Sequence, residues 1–389
     1  MTQSWYVIEP KAPLVFRSGR PFQTGSCDGA NFPWPSSLAG MMRAQIMDAH
    51  RLDPKHNPEH YKQLLQHSVL GPFLAERDAT GKLVETWLPK PADAVLMKDE
   101  TSGALEYVRL VPGLHAQGAG SDLPDGLQPV TSSMETKGKP QPGPLWWPLS
   151  SLLDWMRGNA VDVDAIRNRC DGQPWQIERR THVGIDRNSF AAENGRLFQT
   201  EGLDFGATRI EHGGRPNGWR DEHFMMLARA TAGIDEGTVT FGGERRLSWL
   251  QAQTGDALPQ PADWANTLSK GFALSLITPA LFDDGWKPAW LNESRVPGIT
   301  GLRVKLRAAV LDRWQGISGW DLREQRPRAA RKAVASGATY WFEVLDGDAT
   351  QLSQLWLIAL SDDDQDRRDG FGIALPRPWN PQHSGVRSA

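Results

Sequence analysis

The sequence predicts an α+β protein built from two copies of one unit, on three observations. The chain has 389 residues, more than one hydrophobic core usually serves. Apolar runs of strand character alternate with segments of helical spacing, the mixture expected of an α+β domain. Finally, the chain echoes itself. Pro13-Leu14-Val15-Phe16-Arg17-Ser18-Gly19-Arg20 follows an apolar strand at residues 6–8, and Pro279-Ala280-Leu281-Phe282-Asp283-Asp284-Gly285-Trp286 follows one at 272–277. Corresponding elements at matching places point to duplication, although matches this short also arise by coincidence. The copies differ in charge: Arg17 and Arg20 stand where the second copy has Asp283 and Trp286. If the copies share a fold, only the first uses this turn to meet an anion.

Taken in order, residues 5–16 read as a strand interrupted by Pro, leading into the loop Arg17-Ser18-Gly19-Arg20-Pro21-Phe22. A helix follows Pro33-Trp34-Pro35, with Ser36 or Ser37 as N-cap and Leu38, Met41, Met42, Ile46 and Ala49 at helical spacing. Asn57 caps a second helix, with Pro58 in its first turn and Tyr61, Leu64 and Leu65 as its apolar face. Residues 115–144 turn to Gly, Pro, Ser, Gln and Thr; they bury little apolar surface and read as a long mobile loop insertion. A short helix over 151–157 stops at Gly158. Residues 180–199 have the pattern of a β-hairpin, with arms at 182–185 and 195–198 around a polar tip containing Asn194-Gly195. Further strands are expected at 224–230, 340–345 and 355–360. The expected division is an N-terminal domain, 1–250, holding the insertions at 115–144 and 180–199, and a C-terminal domain, 265–389.

Hydrophobic residues are 39% and charged residues 23%, the balance of a folded soluble protein. The longest apolar run, 355–360, is far too short to cross a bilayer, and the N-terminus has no signal-peptide pattern. Only Cys27 and Cys170 are present, which make neither a disulfide framework nor a four-thiolate zinc site. A cytoplasmic protein is expected. Net charge is −3, whereas a free-standing nucleic-acid binder is usually basic, because neutralising phosphates supplies much of its affinity. RNA binding would therefore rest on a local basic surface, helped by partner proteins. Seventeen Trp against four Tyr read mainly as core residues.

Few motifs suggest catalysis. His56-Asn57-Pro58-Glu59-His60 matches H-x-x-E-H, but Pro58 fits only a first helical turn and leaves His56 outside the helix, so the histidines do not share a face. Neither a phosphate-binding G-x-x-x-x-G-K-[ST] loop nor a G-x-S-x-G elbow is present. Asp362-Asp363-Asp364 reads as a solvated loop. No metal, cofactor or small-molecule substrate is expected.

Three basic clusters remain. The first is Arg17, Arg20 and, one helix later, Arg43; the second is Arg179-Arg180 with His182 and Arg187 at the hairpin. The third runs from Arg295 to Lys332 and includes Arg326 and Arg328, with ten Lys or Arg against three acidic residues. Such asymmetry in an acidic chain is the footprint of a phosphate-tracking groove, although a solvated face explains any single arginine equally well. Gly242-Gly243-Glu244-Arg245-Arg246 adds two glycines, which let backbone N–H groups approach a phosphate, and two arginines to grip it; an ordinary turn is the alternative. Asp369-Gly370-Phe371-Gly372 is only faintly like an RNA-contacting strand.

Together, residues 13–22 (PLVFRSGRPF), 32–43 (FPWPSSLAGMMR), 180–198 (RTHVGIDRNSFAAENGRLF), 241–246 (FGGERR), 337–343 (GATYWFE) and 370–379 (GFGIALPRPW) resemble the Cmr-complex subunit-three family of RAMP proteins. The resemblance spans nearly the whole chain. It implies two tandem ferredoxin-like (RRM-like) domains with a protruding β-hairpin thumb. It also implies a non-catalytic subunit of a type III-B CRISPR effector that caps the 5′ repeat-derived handle of the guide RNA. The implied protein partners are the large polymerase-like subunit and a backbone RAMP subunit. Arg17, Ser18, Gly19 and Arg20 then fall in the family's first loop, near the handle. Arg180, His182, Arg187, Asn188 and Phe190 fall on the thumb, where Phe190 either wedges between nucleotides or packs against a neighbour. Gly242, Gly243, Arg245 and Arg246 fall in a glycine segment beside the RNA. The rival reading is a metal-independent endoribonuclease that processes precursor guide RNA, with His182 beside Arg180 as its one candidate base.

Overall fold

The computed structural model describes residues 2–16, 27–78, 80–113, 118, 120–134, 138–170, 172–205, 209–212, 215–219, 223–262, 264–268, 270–321, 324 and 326–381. The chain forms two compact units, each assembled from separated segments. The first comprises Met1–Val84, Pro174–Asp256 and Gly316–Lys332; the second comprises Glu85–Gln173, Ala257–Gln315 and Ala333–Ala389. This differs from a linear division near residue 250, because residues 85–173 are tied into the later sheet. Ala92 N–H donates to Gly337 O at 2.8 Å and Gln128 N–H to Arg307 O at 2.7 Å, and Asp93 pairs with Arg377.

In the first unit, strands Gly237–Thr240, Leu247–Gln253, Gln3–Pro10, His223–Thr231 and Leu70–Arg77 lie side by side in that order, every neighbour antiparallel. Taking Gln3–Pro10, Leu70–Arg77, His223–Thr231 and Leu247–Gln253 as first to fourth in the chain, their spatial order is fourth, first, third, second. Trp5, Tyr6, Val7 and Ile8 are all buried, as are Phe73, Leu74 and Ala75; strands covered on both faces read as continuous apolar runs. The connection between first and second strands holds helix Pro35–Ala49, which buries Leu38, Met41, Met42 and Ile46. Its N-cap is Trp34, not Ser36 or Ser37, and no side chain caps it; Pro35 at the first position opens the helix instead. Helix Pro58–Leu65 is capped as its sequence suggests, Asn57 Oδ1 accepting from Glu59 N–H at 3.0 Å.

In the second unit the sheet order is Arg303–Val310, Thr339–Asp346, Gly271–Leu276, Ile373–Pro378, Ile358–Ala359. Its four main strands again run fourth, first, third, second, read from the opposite edge. The echo noted in the sequence occupies equivalent places. Leu14 bridges Leu203 after the first strand of one unit, and Ala280 bridges Val334 after the first strand of the other. In the second copy the turn is held by acid rather than carrying base: Asp362 accepts from the N–H groups of Asp283 and Ala289. The expected strand at 355–360 contracts to Ile358–Ala359.

The 115–144 insertion is not simply a loop. Val130–Ser132 pairs with Leu105–Pro112, and Gly138–Pro140 with Ala94–Asp99, giving a four-stranded sheet. Two three-residue strands supply too little pattern to be seen in a polar sequence; their partners define them. Helix Leu149–Met156 ends before Gly158 at φ 89°, and Trp87, Trp147, Trp155 and Trp341 are fully buried core.

Candidate nucleic-acid interface

Three sequence segments meet in the first unit. Leu14 exchanges both backbone hydrogen bonds with Leu203 at the hairpin base, 2.9 and 2.8 Å. One residue on, Val15 O accepts from Gly243 N–H at 2.7 Å, and Phe16 meets Phe241 edge-on at 5.0 Å. Cys27–Asp28 then pairs in parallel with Gln199 and Thr200, and Glu201 accepts from Ala30 N–H at 3.2 Å. Arg17, Ser18, Gly19 and Arg20 lie outside the described residues. Both flanks of their segment are anchored here, one to the glycine turn and one to the hairpin.

The hairpin consists of Gln176–Ile185 and Ala192–Asp204, longer than the sequence suggests. Cross-strand partners share a face. Arg180 opposite Thr200 and His182 opposite Phe198 form one face, while Thr181 with Gln199 and Val183 with Leu197 form the other. His182 Nε2 lies 2.9 Å from Thr200 Oγ1, and its ring stacks on Phe198 at 4.9 Å. Arg180 Nη2 donates to Glu178 at 2.7 Å. That bond, with the Glu244 charge adding to it, raises the Arg180 pKa; the glycine turn therefore lies within electrostatic reach of this face.

The tip is the turn of residues 186–191. Asn194-Gly195 lies in the second arm instead, because Asp186 outcompetes it as a turn former. Asp186 Oδ1 accepts from Asn188 N–H at 2.9 Å, Ser189 N–H at 2.7 Å and Ser189 Oγ at 2.9 Å. Phe190 follows at φ 53° and is 83% exposed, the most exposed large apolar side chain among the described residues. A left-handed aromatic held in water is unusual for a packed residue, and Arg187 beside it has no ion-pair partner among the described residues. The bonds from Ser189 and Asn188 hold the Asp186 carboxyl below its ordinary pKa of 3.8. A depressed pKa makes this contribution fully present above 3.8 and lost as pH falls through the lower folded value. Amide-exchange protection at Asn188 and Ser189 should therefore hold from neutral pH to about pH 5 and fall only below the ordinary carboxylate range.

The glycine turn works differently from its sequence reading. Gly243 N–H is spent on Val15 O, so it is not offered to a phosphate. Gly242 has φ 86° and ψ −172°, a region open essentially to glycine alone. Glu244 and Arg245 follow at φ 58° and 51°, two consecutive non-glycine residues in left-handed conformation, and such strain concentrates at functional sites. Arg245 is exposed. Arg246 is committed to Glu244 at 2.6 Å, with its side chain 14% exposed.

Other expected residues separate. Arg43 is buried, its Nε and Nη2 donating to His67 O at 3.2 and 2.9 Å; its place inside the helix–sheet core makes it structural. Burial first, then Arg43, lowers the His67 pKa. The third basic stretch divides between the units. Arg326 and Arg328 are exposed in the segment Gly316–Lys332, which belongs to the unit carrying the hairpin. Arg295 to Arg313 belong to the other unit, where Arg307 is held by Glu343. Sequence reasoning missed Thr200 and Glu201, which stand opposite Arg180 and Arg179 across the hairpin, a pairing that only the strand register reveals. His56 and His60 both bond Asp53, at 2.8 and 3.0 Å, a loop-closing role. Phe371 is fully buried and Gly370 O accepts from Thr278 Oγ1, so that glycine motif is core.

Among solved structures, a chain of a Type III-B Cmr-beta complex bound to cognate target RNA and AMPPnP aligns over 87% of this chain and 86% of its own, at 14% identity and TM-score 0.45. A chain of a Csm3–Csm4 subcomplex from a type III-A CRISPR-Cas interference complex aligns over 97% and 100%, at 10% identity and TM-score 0.39. No curated protein matches the sequence. The family described as CRISPR-associated protein (Cas_Cmr3) matches residues 6–379, the span that holds the hairpin, the glycine turn and both sheets. The chain belongs to that family.

Proposed function

We propose that this chain is a non-catalytic, cytoplasmic RNA-binding subunit of a type III-B CRISPR effector, and that it holds the 5′ repeat-derived handle of the guide RNA. One observation carries the reading: the strand end that precedes Arg17–Arg20 in the sequence, the hairpin and the glycine turn, far apart in sequence, are joined through Leu14, Val15, Leu203 and Gly243. A single strand is held by phosphate contacts and by bases stacked on aromatics. Exposed Arg187, Arg245, Arg326 and Arg328 supply the first, and Phe190 and the His182–Phe198 stack supply the second. The fourth-first-third-second strand order of both sheets supports a pair of ferredoxin-like, RRM-like domains. In the first, strand Gly237–Thr240 stands where the second helix of that fold would be. The net charge of −3 suits a chain that also meets protein, here the large polymerase-like subunit and a backbone RAMP subunit.

A binding role for His182 is favoured over general-base catalysis, since its Nε2 is bonded to Thr200 and its ring face is covered by Phe198. Purified protein incubated with repeat RNA in EDTA should leave the RNA intact; cleavage abolished by His182→Ala would overturn this role. Arg17→Ala and Arg20→Ala should each weaken guide retention by the assembled complex by about 1–3 kcal/mol, with a reduced salt dependence, measured by filter binding across a salt series. Unchanged retention would leave the chain a scaffold.

A further inference from the structure

A second site lies within the second unit, and it uses no residue of the RNA path. A cavity of about 500 Å³ is lined by Arg109, Arg157, Arg377, Ser132, Trp341 and Trp379, among others. Its volume is in the range of small-molecule sites, well above what one docked side chain fills. Arg377 is buried, its side chain 5% exposed. Its Nε has no hydrogen-bond acceptor among the described residues, and its Nη2, 2.6 Å from Asp93 Oδ2, is out of line for a hydrogen bond. Arg109 sits over the Trp155 ring, 3.6 Å from its centre, donates from Nη2 to Trp155 O at 2.5 Å, and reaches the same Asp93 oxygen at 4.0 Å. Burial first, then the Arg377 charge, pushes the Arg109 pKa down to about 10, with Asp93 opposing; it stays protonated at neutral pH.

Two guanidiniums thus share one buried carboxylate, leaving one surplus positive charge, while the unpartnered Arg377 Nε is itself sealed from solvent. Arg157 adds a third guanidinium whose own partner, Asp154, is half exposed and 3.8 Å away. With Asp154 counted beside Arg157, the site keeps about one net positive charge, and three guanidiniums converge on it to meet an anion's oxygens. A phosphate monoester carries about −1.5 to −2 at neutral pH and offers three acceptor oxygens. Arginine pairs grip such groups bidentately. The rest of the lining mixes apolar side chains, among them buried Trp341 and partly exposed Trp379, with Ser132, Ser133 and Asn380; the Trp379 ring is suited to a flat partner.

We propose that this cavity binds a phosphate monoester carrying an aromatic or heterocyclic ring, with the phosphate on Arg109, Arg157 and Arg377 and the ring against Trp379. The ester's source is either a free small molecule or the phosphorylated end of a nucleic-acid strand. The test is calorimetric titration of the full chain with phenyl phosphate, inorganic phosphate and phenol. Phenyl phosphate should bind at roughly millimolar Kd or tighter, inorganic phosphate about tenfold more weakly, and phenol not measurably. Arg157→Ala, at the exposed rim, should weaken phenyl phosphate by about tenfold without changing the unfolding temperature of the unliganded protein. A 5′-phosphorylated oligonucleotide that displaces phenyl phosphate, where its unphosphorylated form does not, identifies a strand end as the source; failure to displace identifies a free molecule. No binding at about 10 mM phenyl phosphate, equal binding of phenol, or an unchanged affinity in Arg157→Ala would each overturn the proposal.

Discussion

Asp93→Ala is expected to destabilise the second unit by about 3–5 kcal/mol, read as a fall in the midpoint of urea unfolding followed by tryptophan fluorescence. Asp93 is completely buried. Its Oδ2 faces Arg377 at 2.6 Å and Arg109 at 4.0 Å, and its Oδ1 accepts from Thr339 Oγ1 at 3.2 Å. Its own backbone carbonyl also accepts from Leu110 N–H. Truncation leaves the buried Arg377 guanidinium without its counter-charge and removes the shared carboxylate from Arg109, the situation in which a buried pair costs most to break; Thr339 Oγ1 keeps Ser275 and Gly337 O as partners. Because Asp93 links residues 85–173 to the strand Ile373–Pro378, the loss should spread through the unit. A change below about 1 kcal/mol would show that the guanidiniums find other partners or water.

Gly242→Val carries the second large effect, and it falls on the first unit. A Cβ at residue 242 would sit 2.9 Å from Val15 O and 3.2 Å from the Phe16 ring. The backbone, at φ 86° and ψ −172°, costs a β-branched residue about 1–3 kcal/mol before any clash. With the clash the expected loss is roughly 3 kcal/mol or more. The neighbour that must yield is the strand end leading into the Arg17–Arg20 segment, so guide retention should fall together with stability. Gly243→Ala is the control: its Cβ meets Val15 O at 3.3 Å, a contact relieved by a few tenths of an ångström, and its expected cost is smaller. Equal unfolding midpoints for wild type and Gly242→Val would show that the turn can rearrange.

What was legible in the sequence was local or periodic. Asn57 and Pro58 announce a helix start through one hydrogen bond and one fixed dihedral. The hairpin arms show because their residues alternate, and the echo around Pro13 and Pro279 shows because the strand before each is solidly apolar. What was hidden depends on distant partners. Val130–Ser132 is a strand only because Leu110 to Pro112 pair with it. Arg43 has the charge of an RNA contact, but its helix face turns it onto His67 O. Gly243 has the composition of a phosphate nest, yet Val15 takes its N–H. The division of residues 85–173 from the unit that precedes them is set by Asp93–Arg377 and Gln128–Arg307, links that no local pattern encodes. Charge could be counted from the chain; whether a charge faces water could not.

Ultraviolet crosslinking of the assembled particle, carrying a guide labelled at its 5′ end, tests the RNA path most directly. Crosslinked peptides should come from residues 13–28, 176–204 and 241–246, with Phe190 or Phe198 among the adducts. Crosslinks confined to the second unit, or absent from all three segments, would contradict it.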